Sequence, residues 1–118
     1  MIHNFRDLEV WQKSMKLTSC IYGITKSFPQ NEIYALCSQM QRAATSIPSN
    51  IAEGSGRFSD KELAYFLNIA LGSAYELETE LLIANNAQYI NEEQCALIRQ
   101  QIIEIQKMLY ALIKKYNV

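Results

Sequence analysis

Glu53, Glu76 and Glu80 are the residues whose type and spacing could support acid–base or metal chemistry. Carboxylates gathered in a helical interior have perturbed proton affinities and can hold a metal or shuttle a proton. A di-metal centre in a helical bundle needs glutamates on several helices and two inward Glu-x-x-His pairs. The only histidine is His3, close to the N-terminus, and no Glu-x-x-His occurs. Di-metal chemistry is therefore excluded. So is histidine-assisted attack by a serine or cysteine in a helix core, which His3 has no evident way to reach. The simpler reading of the three glutamates is a solvated face, or ion pairs with Arg42 or Arg57. No catalytic, cofactor or metal residue is assigned, and the chain reads as a non-enzyme.

A second chemical candidate is Gly54-Ser55-Gly56-Arg57, just before the start of a helix. Backbone amides there, with the helix dipole and Arg57, could hold an anion. The Gly-Lys-Ser/Thr signature of a nucleotide loop is missing. A glycine helix stop followed by a turn explains the same residues.

Upstream, Arg42, Ser46, Asn50 and Glu53 recur at helical spacing and share one face. Asn68, Gly72, Ser73 and Glu76 form a comparable polar strip. A seam between the two helices is expected, with Arg42 or Arg57 paired to Glu76 and a close helix approach at Gly72. Pro48 lies inside the first of these helices. An interior proline removes a backbone hydrogen bond and costs roughly 3 kcal/mol. It is expected to kink the helix, with Asn50 bonding to a carbonyl freed near the kink.

Nucleic-acid candidates are Arg6, Lys13 and Lys16 on the first helix and Lys107, Lys114 and Lys115 on the last, with Tyr110 and Tyr116 available to stack on bases. The net charge of −1 and pI of about 5.8 argue against a protein built to coat nucleic acid. The halves differ a little, with seven basic against five acidic side chains in residues 1–61 and four against seven in 62–118. Lysines in a last helical turn also have a plainer role, complementing the helix dipole.

Four helices must position these groups. Leu8, Trp11, Met15, Thr18 and Tyr22 form the main stripe of the first, capped by Asp7 and stopped at Phe28-Pro29, with Val10, Leu17, Ile21 and Ile24 as a second stripe. The second starts near Asn31, runs through Ile33, Leu36, Met40, Ala43, Ile47 and Ile51, and ends at Gly54. The third is capped by Ser59 with Glu62 returning the bond, and runs through Leu63, Phe66, Ala70, Ala74, Leu77, Leu81 and Ala84 to Asn85-Asn86. The fourth is capped by Asn91 and carries Ile98, Ile102, Ile105, Leu109 and Leu112. Connections of about four to six residues make neighbours antiparallel. The fold class is all-α, an up-down-up-down four-helix bundle in one domain over 1–118. Tyr65, Leu71, Tyr75, Leu82 and Ile83 lie off the third helix's stripe, and Val10, Leu17 and Ile24 off the first's. They suggest a second buried face, most simply against another copy of the chain.

Cys20, Cys37 and Cys95 are odd in number and fall within helical patterns, the mark of reduced, buried thiols in a cytoplasm. Residues 1–10 contain no signal-like apolar run, and no segment is long and apolar enough to cross a membrane.

Three blocks carry a resemblance. They are Phe5-Arg6-Asp7-Leu8 with Val10-Trp11; Gln41-Arg42-Ala43-Ala44 leading into Ser46-Ile47-Pro48-Ser49-Asn50-Ile51-Ala52-Glu53-Gly54; and Phe66-Leu67-Asn68-Ile69-Ala70-Leu71-Gly72-Ser73 with Glu76-Leu77-Glu78. Over nearly the whole chain the sequence resembles the bacterial four-helix bundle family first named for proteins encoded in intervening sequences of 23S ribosomal RNA genes. The resemblance implies a left-handed up-down bundle that assembles into a barrel-like homopentamer. It gives Arg42, Ser46, Pro48, Asn50, Glu53, Gly54, Arg57, Gly72 and Glu76 structural roles in the family motif. A similar fold serves as the accessory variability protein of diversity-generating retroelements, which binds a reverse transcriptase and for which nucleic-acid binding has been suggested. The implied role is an accessory or scaffold protein with RNA, or a reverse-transcriptase-like protein, as partner. That relative is strongly basic, and this chain is not.

Overall fold

Two of the four long helices start at side chains that take up amides the helix leaves unbonded. Ser59 Oγ accepts from the Glu62 N–H at 3.1 Å and opens one helix. Asn91 Oδ1 accepts from Gln94 N–H at 2.7 Å while Gln94 Oε1 accepts from Asn91 N–H at 3.3 Å, a complete capping box at the start of another. At Ser59 the return bond differs from expectation. The Glu62 carboxylate accepts from the serine hydroxyl at 3.1 Å instead of from its backbone.

The computed structural model describes residues 3–117. Its long helices are α1 (Glu9–Thr25), α2 (Ser38–Ser55), α3 (Asp60–Asn86) and α4 (Glu92–Tyr116). No strand occurs among the described residues. Each helix packs against the next, and α1 closes the bundle against α4. Paired cross-helix contacts run in opposite chain directions: Thr18 meets Ala44 and Thr25 meets Gln41 across α1–α2, Ser46 meets Ser73 and Gly54 lies against Phe66 across α2–α3, and Ala74 meets Gln106 and Glu78 meets Arg99 across α3–α4. Neighbouring helices are therefore antiparallel.

Two starts depart from the sequence reading. Asp7 does not cap α1. It lies in a 3-10 turn, Phe5–Asp7, capped by Asn4, whose Oδ1 accepts from Arg6 N–H at 3.2 Å. The second helix is not regular from Asn31. A 3-10 turn (Gln30–Glu32) and a π-turn (Ile33–Cys37) precede α2, with Glu32 Oε1 accepting from the Leu36 N–H. These two turns absorb the change of direction after Pro29.

The core follows the stripes of α2, α3 and α4, with Met40, Ile47, Ile51, Leu77, Leu81, Ile102, Ile105 and Leu109 fully buried. On α1 the expected order of stripes is reversed. Val10, Leu17 and Ile21 are buried, while Met15 and Tyr22 are exposed. The deciding chemistry is polar. Thr18 and Tyr22 carry hydroxyls that reach the α2 backbone and Thr45 at the bundle surface. Ser14 on the inner stripe is satisfied locally by the Trp11 carbonyl at 2.8 Å. Leu71 is also core, whereas Tyr65, Tyr75 and Ile83 stay exposed.

All three cysteines are free, with Cys37 and Cys95 buried and Cys20 half-buried. No helix among the described residues is long and apolar enough to cross a membrane.

Candidate functional site

The α2–α3 face is where most motif residues fall, and Pro48 organises its far side. The proline is buried inside α2, which continues through it without interruption. Its missing N–H leaves the Ala44 carbonyl, four residues back, without a helical donor. Thr18 Oγ1 of α1 donates to that carbonyl at 3.0 Å, sharing its proton with Ser14 O at 2.8 Å. Asn50 does not supply this bond. It lies six residues beyond Ala44, about 120° round the helix, and its Nδ2 donates to Ser46 O at 2.8 Å and Ser46 Oγ at 2.9 Å. Ser46 in turn shares a 2.8 Å bond with Ser73 on α3. The polar seam is real, and its members are Asn50, Ser46 and Ser73.

Neither arginine pairs with Glu76. Arg57 Nη2 bonds to Glu53 Oε2 at 2.6 Å, one turn back, and the guanidinium lies 4.7 Å from the Phe66 ring centre. Arg42 lines the same cleft as Glu76 without an ion pair to it among the described residues. Glu53 is thus separated from the other two glutamates. Glu76 and Glu80 do come together, one turn apart on α3, in a cleft of about 380 Å³ completed by Gln39 and Arg42. Glu80 is only 6% exposed, and its Oε1 is buried without a hydrogen-bond partner. Burial, reinforced by the charge of Glu76, pushes the Glu80 carboxyl up to about 7.

The two motif glycines have opposite surroundings. A Cβ on Gly54 would stand 2.8 Å from Phe66 Cβ and 3.2 Å from the Leu63 carbonyl. Its role is close packing of α2 on α3, and the close approach expected at Gly72 occurs here. Gly72 is exposed with nothing within 4 Å of a built Cβ. The concavity beside Gly56 and Arg57 also contains the carboxylates of Glu53 and Glu62. That lining opposes an anion, so the helix-stop reading of Gly54-Ser55-Gly56-Arg57 stands.

The six basic candidates all lie on α1, α4 or the turn before α1. Lys13 is bound to Glu104 at 2.7 Å and to Glu9 at 3.8 Å, so its charge is largely neutralised. The hydrogen bond to Glu104 holds its ammonium pKa above the usual lysine value. Lys16 shares a concavity with Lys13, Cys20 and Glu104. On α4, Lys107, Tyr110 and Lys114 are exposed at spacings of three and four, on one stripe, with Lys114 Nζ 5.6 Å from the Tyr110 ring centre. Arg6 and Lys115 belong to the same end of the bundle, where the His3 ring meets Tyr116 edge-on at 5.2 Å. Arg6 stacks over Phe5 at 4.4 Å and Lys115 over Tyr116 at 5.3 Å.

Sequence reasoning missed a third polar cluster. Glu78 bonds through Oε2 to Arg99 Nε at 3.0 Å and through Oε1 to Gln106 Nε2 at 2.8 Å, tying α3 to α4. The Gln106 bond chiefly, then Arg99, holds the Glu78 carboxyl below the usual range. Gln106 sits between Ile102 and Leu109 on the apolar stripe, and a polar residue there is the signal of a buried, satisfied amide.

An antiparallel four-helix bundle with polar clusters pinned between its helices is the class this geometry defines. The chain belongs to the 23S rRNA-intervening sequence protein family, whose model matches residues 6–111. It is similar to the crystal structure of a Bacteroides thetaiotaomicron protein of unknown function from the S23 ribosomal protein family. The two are 31% identical with a TM-score of 0.81, over 89% of this chain and 98% of that one. No curated protein matches the chain in sequence.

Proposed function

We propose that the protein is a non-catalytic, cytoplasmic accessory bundle that assembles with copies of itself and binds RNA along the exposed side of α4. The observation that carries the RNA reading is the stripe of Lys107, Tyr110 and Lys114, cations interleaved with an exposed aromatic ring. Such a stripe suits phosphate contacts with base stacking between them. Arg6 and Lys115 add charge at one end of the bundle, and Lys16 adds charge on the α1 side. Lys13, held by Glu104, contributes least. Self-association, as the homopentamer the family resemblance implies, is supported by the face of α3 that presents Tyr65, Ile69 and Ile83 to solvent around the bare Gly72. The non-catalytic reading is supported by thiols whose burial pushes their pKa values up, away from the nucleophilic thiolate.

Fluorescence anisotropy of a labelled structured RNA, titrated at low and physiological salt, tests the proposal. Expected is binding that weakens steeply with salt and drops at least tenfold at low salt in Lys107→Glu/Lys114→Glu. No binding at low salt, or binding indifferent to those changes, overturns it. A second reading, a protein-binding scaffold with a reverse-transcriptase-like or other protein partner, is favoured by Tyr34 and Phe58. They are 95% and 81% exposed, and Tyr34 lies at the end of the bundle opposite Arg6 and Lys115, beside the α3–α4 connection.

A further inference from the structure

Glu80 is a side chain out of balance with its surroundings. It is more than nine-tenths buried, no hydrogen bond or ion pair reaches it among the described residues, and it lines an open cleft. Buried carboxyl groups are ordinarily bonded or paired. Its neighbours fix what could pair with it. Glu76 stands one turn back on α3, and α2 contributes Arg42 and Gln39. On the α4 side Arg99 is already engaged by Glu78. With Glu80 ionised, the cleft holds two negative charges and one positive, a net charge of −1.

Those groups exclude two ligand classes and fit a third. An anion would meet two carboxylates. A calcium ion wants about six to eight oxygen ligands and a zinc ion mostly sulfur or imidazole nitrogen, and here either would find two carboxylates and an amide with a guanidinium beside them. A single positive charge with N–H donors matches the deficit. The cleft, at about 380 Å³, falls within the roughly 300–1,000 Å³ of small-ligand sites.

We propose that this cleft binds one organic monocation, an alkylammonium or guanidinium group, which donates to Glu80 and Glu76 while Arg42 balances the second carboxylate. The source is either a free amine or a lysine or arginine side chain of a second copy, and the chemistry of capture is the same. The carboxyl's raised proton affinity accords with this, because in the unliganded cleft a proton takes the place of the cation.

The test is a carbon-13 NMR titration of the Glu80 carboxyl in the whole, unsubstituted protein. It is run with butylguanidinium chloride and with potassium chloride at equal ionic strength. A cation that binds only the ionised carboxyl lowers its midpoint, by about one pH unit when its concentration is about nine times Kd. The expected result is a fall with butylguanidinium that potassium does not reproduce and that shrinks in Glu76→Gln, a change at an exposed position. A second arm dilutes the protein through its self-association range without added amine. A midpoint that rises on dilution assigns the cation to another copy, and one that moves only with added amine assigns a free ligand. A midpoint indifferent to butylguanidinium and to dilution overturns the proposal, as does a response that Glu76→Gln leaves unchanged.

Discussion

Glu80 ties proton binding to folding. Its carboxyl is raised from 4.5 to about 7, so between those values the folded chain holds a proton that the unfolded chain releases. Stability from this group is complete below pH about 4.5 and is lost as pH rises through about 7, a total of about 3 kcal/mol. Glu78 runs the other way, withdrawing stability only as acid protonates a carboxylate that Gln106 and Arg99 hold ionised. Urea unfolding of dilute protein without organic cations is therefore expected to show lower stability at pH 8 than at pH 5. Glu80→Gln should remove most of that difference. An equal slope in the variant would place the titrating group elsewhere. The sequence offered Glu53, Glu76 and Glu80 as equals, and the distinction lay in register. Glu80 stands three residues after Leu77 and four before Ala84, at the edge of the buried stripe, whereas Glu53 has Arg57 within one turn.

At the scale of elements, all four helices, their order, the stop of α2, both ends of α3 and the start of α4 were legible, because capping residues and apolar spacing act locally. The missed features depend on a neighbour. Which of two apolar stripes of α1 turns inward was decided by the partners its hydroxyls find on α2. The 3-10 and π-turns before α2 follow from redirecting the chain after Pro29, which no local pattern encodes. The end of α3 carries a motif without its usual residue. Tyr89 N–H bonds to Ala84 O at 2.9 Å and Gln88 N–H to Asn85 O at 3.0 Å, with Gln88 at φ 65°. Glycine is the common occupant of that left-handed position. Gln88→Gly is expected to raise stability by about 1 kcal/mol, read as a shift of the urea midpoint at constant slope. A destabilised variant would mean that the glutamine side chain makes up for its backbone strain.

For the whole molecule, the α3 face is the surface on which the proposed self-association turns. Tyr65, Ile69 and Ile83 are each more than a third exposed and share a stripe with Gly72, whose missing Cβ leaves room for another backbone. A glycine in a helix interior costs about 1 kcal/mol relative to alanine, and nothing within this chain uses the space it leaves. Ile69→Lys is expected to reduce self-association at least tenfold in sedimentation velocity while leaving the helical circular dichroism unchanged. A variant that assembles as the parent does would move the interface to another face. The sequence revealed that surplus apolar side chains exist; assigning them to this face required knowing that Val10 and Leu17 had gone to the core. The contact between His3 and Tyr116 has a topological consequence. Four antiparallel helices bring the end of α4 back beside the turn before α1, so the described backbone is nearly a closed circuit. The order in which its helices are threaded is then separable from the packing that holds them. A chain cut in the turn between α3 and α4 and rejoined across the meeting of His3 and Tyr116 would keep every helix–helix partnership described here.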